Sequence, residues 1–143
     1  MSHDIEKPQA AAERKVPAPG LLLTIAAVVE AVTGLAFLLT PGPAVALILG
    51  AEPDGVGLMI GRIFGVALLS IGIACWGART DPGGAARSGT LSAITLYNAG
   101  TGFLLFAFAG AGKAFGGMVW IVGAVHLVLA ALFAASRPLR TGA

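Results

Sequence analysis

Five side chains with useful chemistry lie inside runs of apolar sequence. Glu30 sits in "VVEAVTG", Tyr97 and Asn98 in "LYNAGTG", His126 in "VGAVHLV" and Arg62 in "MIGRIFG". No Lys or Arg falls within ten positions of Glu30. A carboxyl and an imidazole in such surroundings can exchange protons, pair with a cation, or hold the polar end of a small molecule. Several other chemistries lack their parts. One Glu and one His are too few for a stable metal site. Bis-histidine haem ligation needs a second buried histidine, and the other one is His3 near the N-terminus. Ser70, Ser88 and Ser92 have no base and acid arranged for hydrolysis. "GAGKAFGG" at 110–117 lacks the strand-to-helix context of a phosphate loop. No catalytic residue is assigned. The single cysteine, Cys75, cannot form an internal disulfide and reads as a small packing residue.

These residues need elements to hold them, and composition names the kind. The 143-residue chain is 57% hydrophobic and 11% charged. A water-soluble domain carries about 25% charged residues. Too few charges remain to cover a surface facing water, and lipid is the alternative solvent. Spanning a hydrocarbon core takes about 20 apolar residues per helix. Four stretches have that length, at about 21–40, 58–78, 90–109 and 117–135. The alternating pattern of a lipid-embedded barrel is absent. The first stretch is too long for the apolar core of a signal peptide, about 7–15 residues, and reads as part of the mature protein. The expected fold is all-α: an integral membrane four-helix bundle over residues 20–136. A disordered cytoplasmic arm, 1–19, precedes it and a short tail, 137–143, follows. "TPGP" at 40–43 stops the first helix, and "AVALILGA" at 44–51 is apolar but too short to span.

Charge placement sets an expected orientation. Lys7, Arg14 and Lys15 precede the first span, Arg79 and Arg87 lie in the middle loop, and Arg137 and Arg140 are in the tail. The first loop has only Glu52 and Asp54, and the third has Lys113. The positive-inside bias puts both termini and the middle loop in the cytoplasm. No basic stripe suits nucleic acid.

The chain also repeats itself. "VEAVTGLAFLL" at 29–39 aligns without gaps on "YNAGTGFLLFA" at 97–107, setting Glu30 on Asn98 and Gly34 on Gly102. "IFGVALL" at 63–69 aligns on "IVGAVHL" at 121–127, and Arg79 on Arg137. Helices one and three run the same way, so the expected architecture is two tandem parallel hairpin repeats. Gly57, Gly61 and Gly65 form a small-residue stripe on the second span, along which another backbone can approach. Trp76 and Trp120 lie near opposite membrane faces, where the indole suits the interface.

Counted along their spans, Glu30, Asn98 and His126 sit at one depth near the bilayer centre. Arg62 sits just above them, free to reach inward or to snorkel outward. A bare carboxylate there costs several kcal/mol. Glu30 must stay protonated, pair with Arg62 or His126, or line a hydrated cavity. Two readings stay open: a hydrogen-bonded clasp that specifies helix pairing, or a small-molecule or proton site.

"EAVTG", "GRIFGVALLSIG" and the layout of two hairpins resemble the DoxX-like four-helix membrane proteins of bacteria. The resemblance covers about 21–136. It implies the four-helix fold and a link to quinone-coupled sulfur oxidation or redox-stress complexes, and it assigns no catalytic residue here. The expected function is that of a bacterial inner-membrane accessory subunit, or a binder of a small apolar or quinone-like molecule at the polar layer. It would work with a membrane protein partner or as a homo-oligomer. The alternatives are a proton-coupled small-molecule transporter and an enzyme subunit whose redox chemistry comes from a partner. For topology the expected outcome is concrete. A fluorescent protein fused after Ala143 should glow, because it folds in the cytoplasm, and an alkaline phosphatase fused there should be inactive. Active phosphatase would reverse the orientation.

Overall fold

The computed structural model describes residues 17–113 and 116–137. The expected disordered arm up to residue 16, and the tail from 138, lie outside the described residues. So do His3, Lys7, Arg14, Lys15 and Arg140.

Among the described residues the chain is all-helical, with no strand. The helices are α1 (Pro19–Leu39), α2 (Pro41–Leu49), α3 (Gly55–Ala78), α4 (Ala85–Gly110) and α5 (Met118–Ala135). Four of them, α1, α3, α4 and α5, are long and apolar enough to cross a membrane. Their outward faces carry large apolar side chains, among them Val32, Ile73, Leu96 and Phe103. Such faces suit acyl chains and would be costly in water.

Helix boundaries follow local chemistry more than hydropathy. Asp54 caps α3: its carboxylate accepts from the backbone N–H of Gly57 at 2.7 Å, so α3 starts three residues before the apolar run. Helix α4 starts at Ala85, five residues before its run, because "AARSG" is helical although polar. After α1 the chain breaks at Thr40 only, and Pro41 opens α2 at a helix N-terminus, where its missing N–H costs nothing. The segment expected as a short stretch at 44–51 is thus a nine-residue helix, ended by Gly50 in the left-handed conformation (φ 78°).

Helix α1 packs chiefly along α3, and α4 chiefly along α5, giving two antiparallel hairpins. Each hairpin closes on glycine. A Cβ placed on Gly34 would lie 2.8 Å from the Gly65 carbonyl oxygen and 2.9 Å from Leu69. One on Gly65 would lie 2.6 Å from the Leu38 nitrogen. In the second hairpin a Cβ on Gly102 would lie 2.8 Å from Leu127 and 3.0 Å from the Gly123 carbonyl oxygen. The backbones meet where side chains cannot fit, as expected when packing, not water, must hold helices together.

The hairpins join at the end of the bundle that carries the α3–α4 turn. There Leu22, Leu23, Ala26 and Ala27 of α1 cluster with Cys75 and Ala78 of α3, Leu91 and Ile94 of α4, and Phe133 of α5. Arginines fasten this end. Arg87 donates from Nε to the Ala78 carbonyl at 3.2 Å and from Nη2 to the Arg79 carbonyl, satisfying oxygens that the end of α3 leaves free. Arg137 donates from Nη2 to the Leu91 carbonyl at 3.1 Å, tying the end of α5 to α4. The Arg79 guanidinium lies over the Trp76 ring, 3.5 Å from its centroid. At the opposite end α2 lies against α1, α3 and α5.

Substitution should separate the contact glycines from the idle ones. Gly65→Val forces a side chain into the α1 backbone and should cost about 1–3 kcal/mol, the usual range for overpacking. Gly100→Ala meets nothing within 4 Å and should leave the melting temperature in detergent unchanged or slightly higher. Equal melting of the two variants would remove the glycine contact as the basis of the hairpin.

Candidate functional site

Between the hairpins, away from the arginine end, lies a cavity of about 750 Å³. This is within the range of small-molecule pockets, about 300–1,000 Å³. Its existence follows from the packing. Within each hairpin the glycines draw the helices together, and among the described residues no glycine pair between the hairpins comes as close: a Cβ on Gly116 would lie 3.6 Å from the Gly50 Cα, an ordinary contact. Five helices contribute walls, nearly all of them apolar. They include Val32 and Phe37 of α1, Ile48 of α2, Phe64 of α3, Leu105 of α4 and Val122 of α5.

The cavity's polar groups are Glu30, Tyr97, Asn98 and His126, with the threonines at 33, 40 and 101. Four of the five candidate residues therefore line one space. Helix α1 supplies Glu30, which is 7% exposed, with its Cβ close to Gly72 of α3. A larger residue at 72 would push against the α1 backbone at Ala27 and Ala31, so that glycine lets the acid sit at the α1–α3 crossing. Helix α4 supplies Tyr97, which lies edge-on to the His126 ring of α5, with centroids 5.9 Å apart.

Arg62 is not among them. It is exposed on α3 and lines no part of this cavity. The reason is angular: α3 turns Gly61 and Gly65 toward α1, and the residue after Gly61 points about 100° away, as 3.6 residues per turn requires. Its depth along the helix put it near the acid, but its face does not.

Two polar groups are tied to their own helices. The Asn98 amide Nδ2 donates to the Ile94 carbonyl at 2.9 Å. His126 Nδ1 lies 2.8 Å from the Val122 carbonyl. Among the described residues, no hydrogen bond or ion pair joins any two of Glu30, Arg62, Tyr97, Asn98 and His126. Asn98 is 1% exposed, and its Oδ1 is buried without a hydrogen-bond partner. A clasp would have spent these groups on each other, whereas here the four residues line one space and bond, where they bond, to their own helices.

Helix α2 is the part of the site that sequence reasoning passed over. It walls the cavity with Pro43, Val45, Leu47 and Ile48. The signal was available: "AVALILGA" is as apolar as a spanning segment yet too short to span. A second cavity, about 430 Å³, lies under the α2–α3 loop beside Glu52 and Asp54. Among the described residues no cluster of three or more His, Cys, Asp or Glu could hold a metal ion.

No protein family's sequence model matches the chain, and no curated protein or solved structure is significantly similar to it.

A buried acceptor without a donor is a cost to folding. Asn98→Leu keeps the volume and removes it, so the variant should melt at the same temperature or higher, by the equivalent of about 1 kcal/mol. A marked fall in detergent melting temperature would mean that Asn98 holds helices together.

Proposed function

We propose that the chain is a bacterial inner-membrane protein, its arginine end and both termini on the cytoplasmic side, that binds a small apolar or quinone-like molecule between its two hairpins. One observation carries this reading: a cavity of about 750 Å³ with apolar walls and a few convergent polar groups, among them Glu30, Asn98 and His126, whose bonds are not used on one another. Apolar walls with a few polar groups that fix orientation are the usual form of a ligand site. The protein then serves as an accessory subunit of a larger membrane assembly, or works as a homo-oligomer.

The reading includes the tandem repeat and a DoxX-like layout. In support of the repeat, the aligned glycines play matching parts. Gly34 meets Gly65 and Leu69, while Gly102 meets Gly123 and Leu127. The buried residues Gly61, Gly65, Gly72 and Cys75 of α3 align with Val119, Gly123, Ala130 and Phe133, the buried residues of α5. At the functional positions the halves differ: Glu30 stands opposite Asn98, and Leu68 opposite His126.

A second reading, proton-coupled transport of a small molecule, draws on Glu30 and His126 lining the same space. Both groups can exchange protons. The two readings part in one experiment. Protein extracted in mild detergent should carry an apolar molecule identifiable by mass spectrometry. Ala36→Phe, which places a ring in the cavity from α1, should lose that molecule without a fall in melting temperature. A variant that retains it would refute binding at this cavity. Flux that varies between pH 5 and 8 in proteoliposomes, abolished by Glu30→Gln, would favour transport.

A further inference from the structure

One ionisable group on the cavity wall has no counterpart. The lining holds a single acid, Glu30, and no Lys or Arg. Glu30 is 7% exposed, and among the described residues its carboxyl takes no hydrogen bond and no ion pair. Its oxygens are nevertheless not sealed off. The side-chain atom that is both sealed off and unpartnered among the described residues is Asn98 Oδ1, so Asn98 plays no part here. The carboxyl keeps open surface, and the cavity is the space that Glu30 lines.

The other polar groups do not take up this acid. His126 is the one residue on the lining that could itself become a cation. It forms no ion pair with Glu30, and its Nδ1 lies 2.8 Å from the Val122 carbonyl of its own helix. The hydroxyls of Thr33, Thr101 and Tyr97 both donate and accept, so they favour neither sign of charge. Thr40 donates to the Ala36 carbonyl at 3.0 Å. Arg62 stands on another face of α3, and Lys113 lines the second cavity, not this one. The site lacks a cation, and a ligand can bring one. Phe37, Phe64 and Tyr97 line the same space, and an aromatic ring attracts a cation within about 6 Å of its face.

The rims show where such a ligand comes from. Val29 and Val32 of α1, and Ile121 and Val125 of α5, line the cavity and are also about half exposed or more. In a membrane those faces meet acyl chains. An amine on an apolar body dissolves there as its uncharged base.

We infer that the cavity takes an apolar molecule with a basic amine head, and that Glu30 is the group that holds the head. The inference rests on the binding reading above. Of the molecules that reading allows, it singles out those with a basic nitrogen. The charges balance in either proton state. As a carboxylic acid, Glu30 gives its proton to the nitrogen of the free base, leaving carboxylate and ammonium. As a carboxylate, it meets the ammonium directly. Both routes end at one ion pair with no net charge, the form in which apolar walls tolerate ions best. A head that is itself an anion would add charge that nothing on the lining balances.

A matched pair of probes tests this. 4-Octylbenzylamine and 4-octylbenzyl alcohol share one body and differ in whether the head is basic. Binding to the full-length protein is measured by native mass spectrometry in a neutral detergent near neutral pH, with each probe's partition into protein-free micelles subtracted. The amine should bind at least about tenfold more tightly, the gain of a charge-assisted over a neutral hydrogen bond. Glu30→Gln keeps the shape and removes the acid, and should bring the two within about twofold by weakening the amine alone. Ala36→Phe should weaken both. The wild-type comparison stands without any variant. Equal binding of amine and alcohol overturns the selectivity and leaves the cavity a binding site. Binding of neither overturns the binding reading itself. An amine preference that survives in Glu30→Gln overturns the assignment to Glu30 and moves the amine elsewhere, with Glu52 and Asp54 beside the second cavity the next acids to replace.

Discussion

Among acyl chains no water drives helices together, so these helices are held by what their backbones can touch. The contacts of Gly34 with Gly65, and of Gly102 with Gly123, are the constraint on which the rest depends. They set the spacing within each hairpin and fix which faces turn inward. They also decide where space remains. Contact is closest inside a hairpin, and between hairpins it concentrates where Leu23, Cys75, Leu91 and Phe133 meet. The cavity is the remainder of that arrangement.

Polar groups placed at such a remainder are under a different rule from polar groups in a packed core. Inside a core each must find a partner or be removed. Asn98 and His126 each take one bond from their own helix, to Ile94 and Val122, and no more. That anchoring orients them without spending them. Glu30 lies at the α1–α3 crossing because Gly72 leaves room, and its carboxyl belongs to the same space. The energetic cost of these incompletely paired groups falls on folding.

Much of this was legible in the sequence. Runs of about 20 apolar residues mark spanning helices because bilayer thickness fixes their length, and α1, α3, α4 and α5 occupy those runs. The shared depth of Glu30, Asn98 and His126 could be counted from the ends. The direction in which a side chain points is harder to read than its depth. Arg62 stands at a plausible height, but the stripe of Gly61 and Gly65 beside it rotates it off the cavity. Pro41 was ambiguous for a related reason: proline stops one helix and starts the next equally well, so "TPGP" hid a helix as it marked the end of another. The cavity itself could not be read from the sequence, because it depends on which of many Gly and Ala positions pair.

The arginine bonds at the closed end have a mechanical meaning. Arg87 takes up carbonyls that the end of α3 would otherwise leave bare, and Arg137 adds a bond from the end of α5 to the Leu91 carbonyl of α4, so this end is tied across elements. A tilt of one hairpin against the other about that end would leave these bonds in place. Helix α5, 18 residues long, is a lever of about 27 Å. A tilt of about 5° moves its far tip by about 2 Å at that length, the scale of a side-chain rearrangement. Such a tilt would widen the mouth through small angular change, and α2, joined to α1 at Thr40 and resting on α3 and α5, spans the gap that would open.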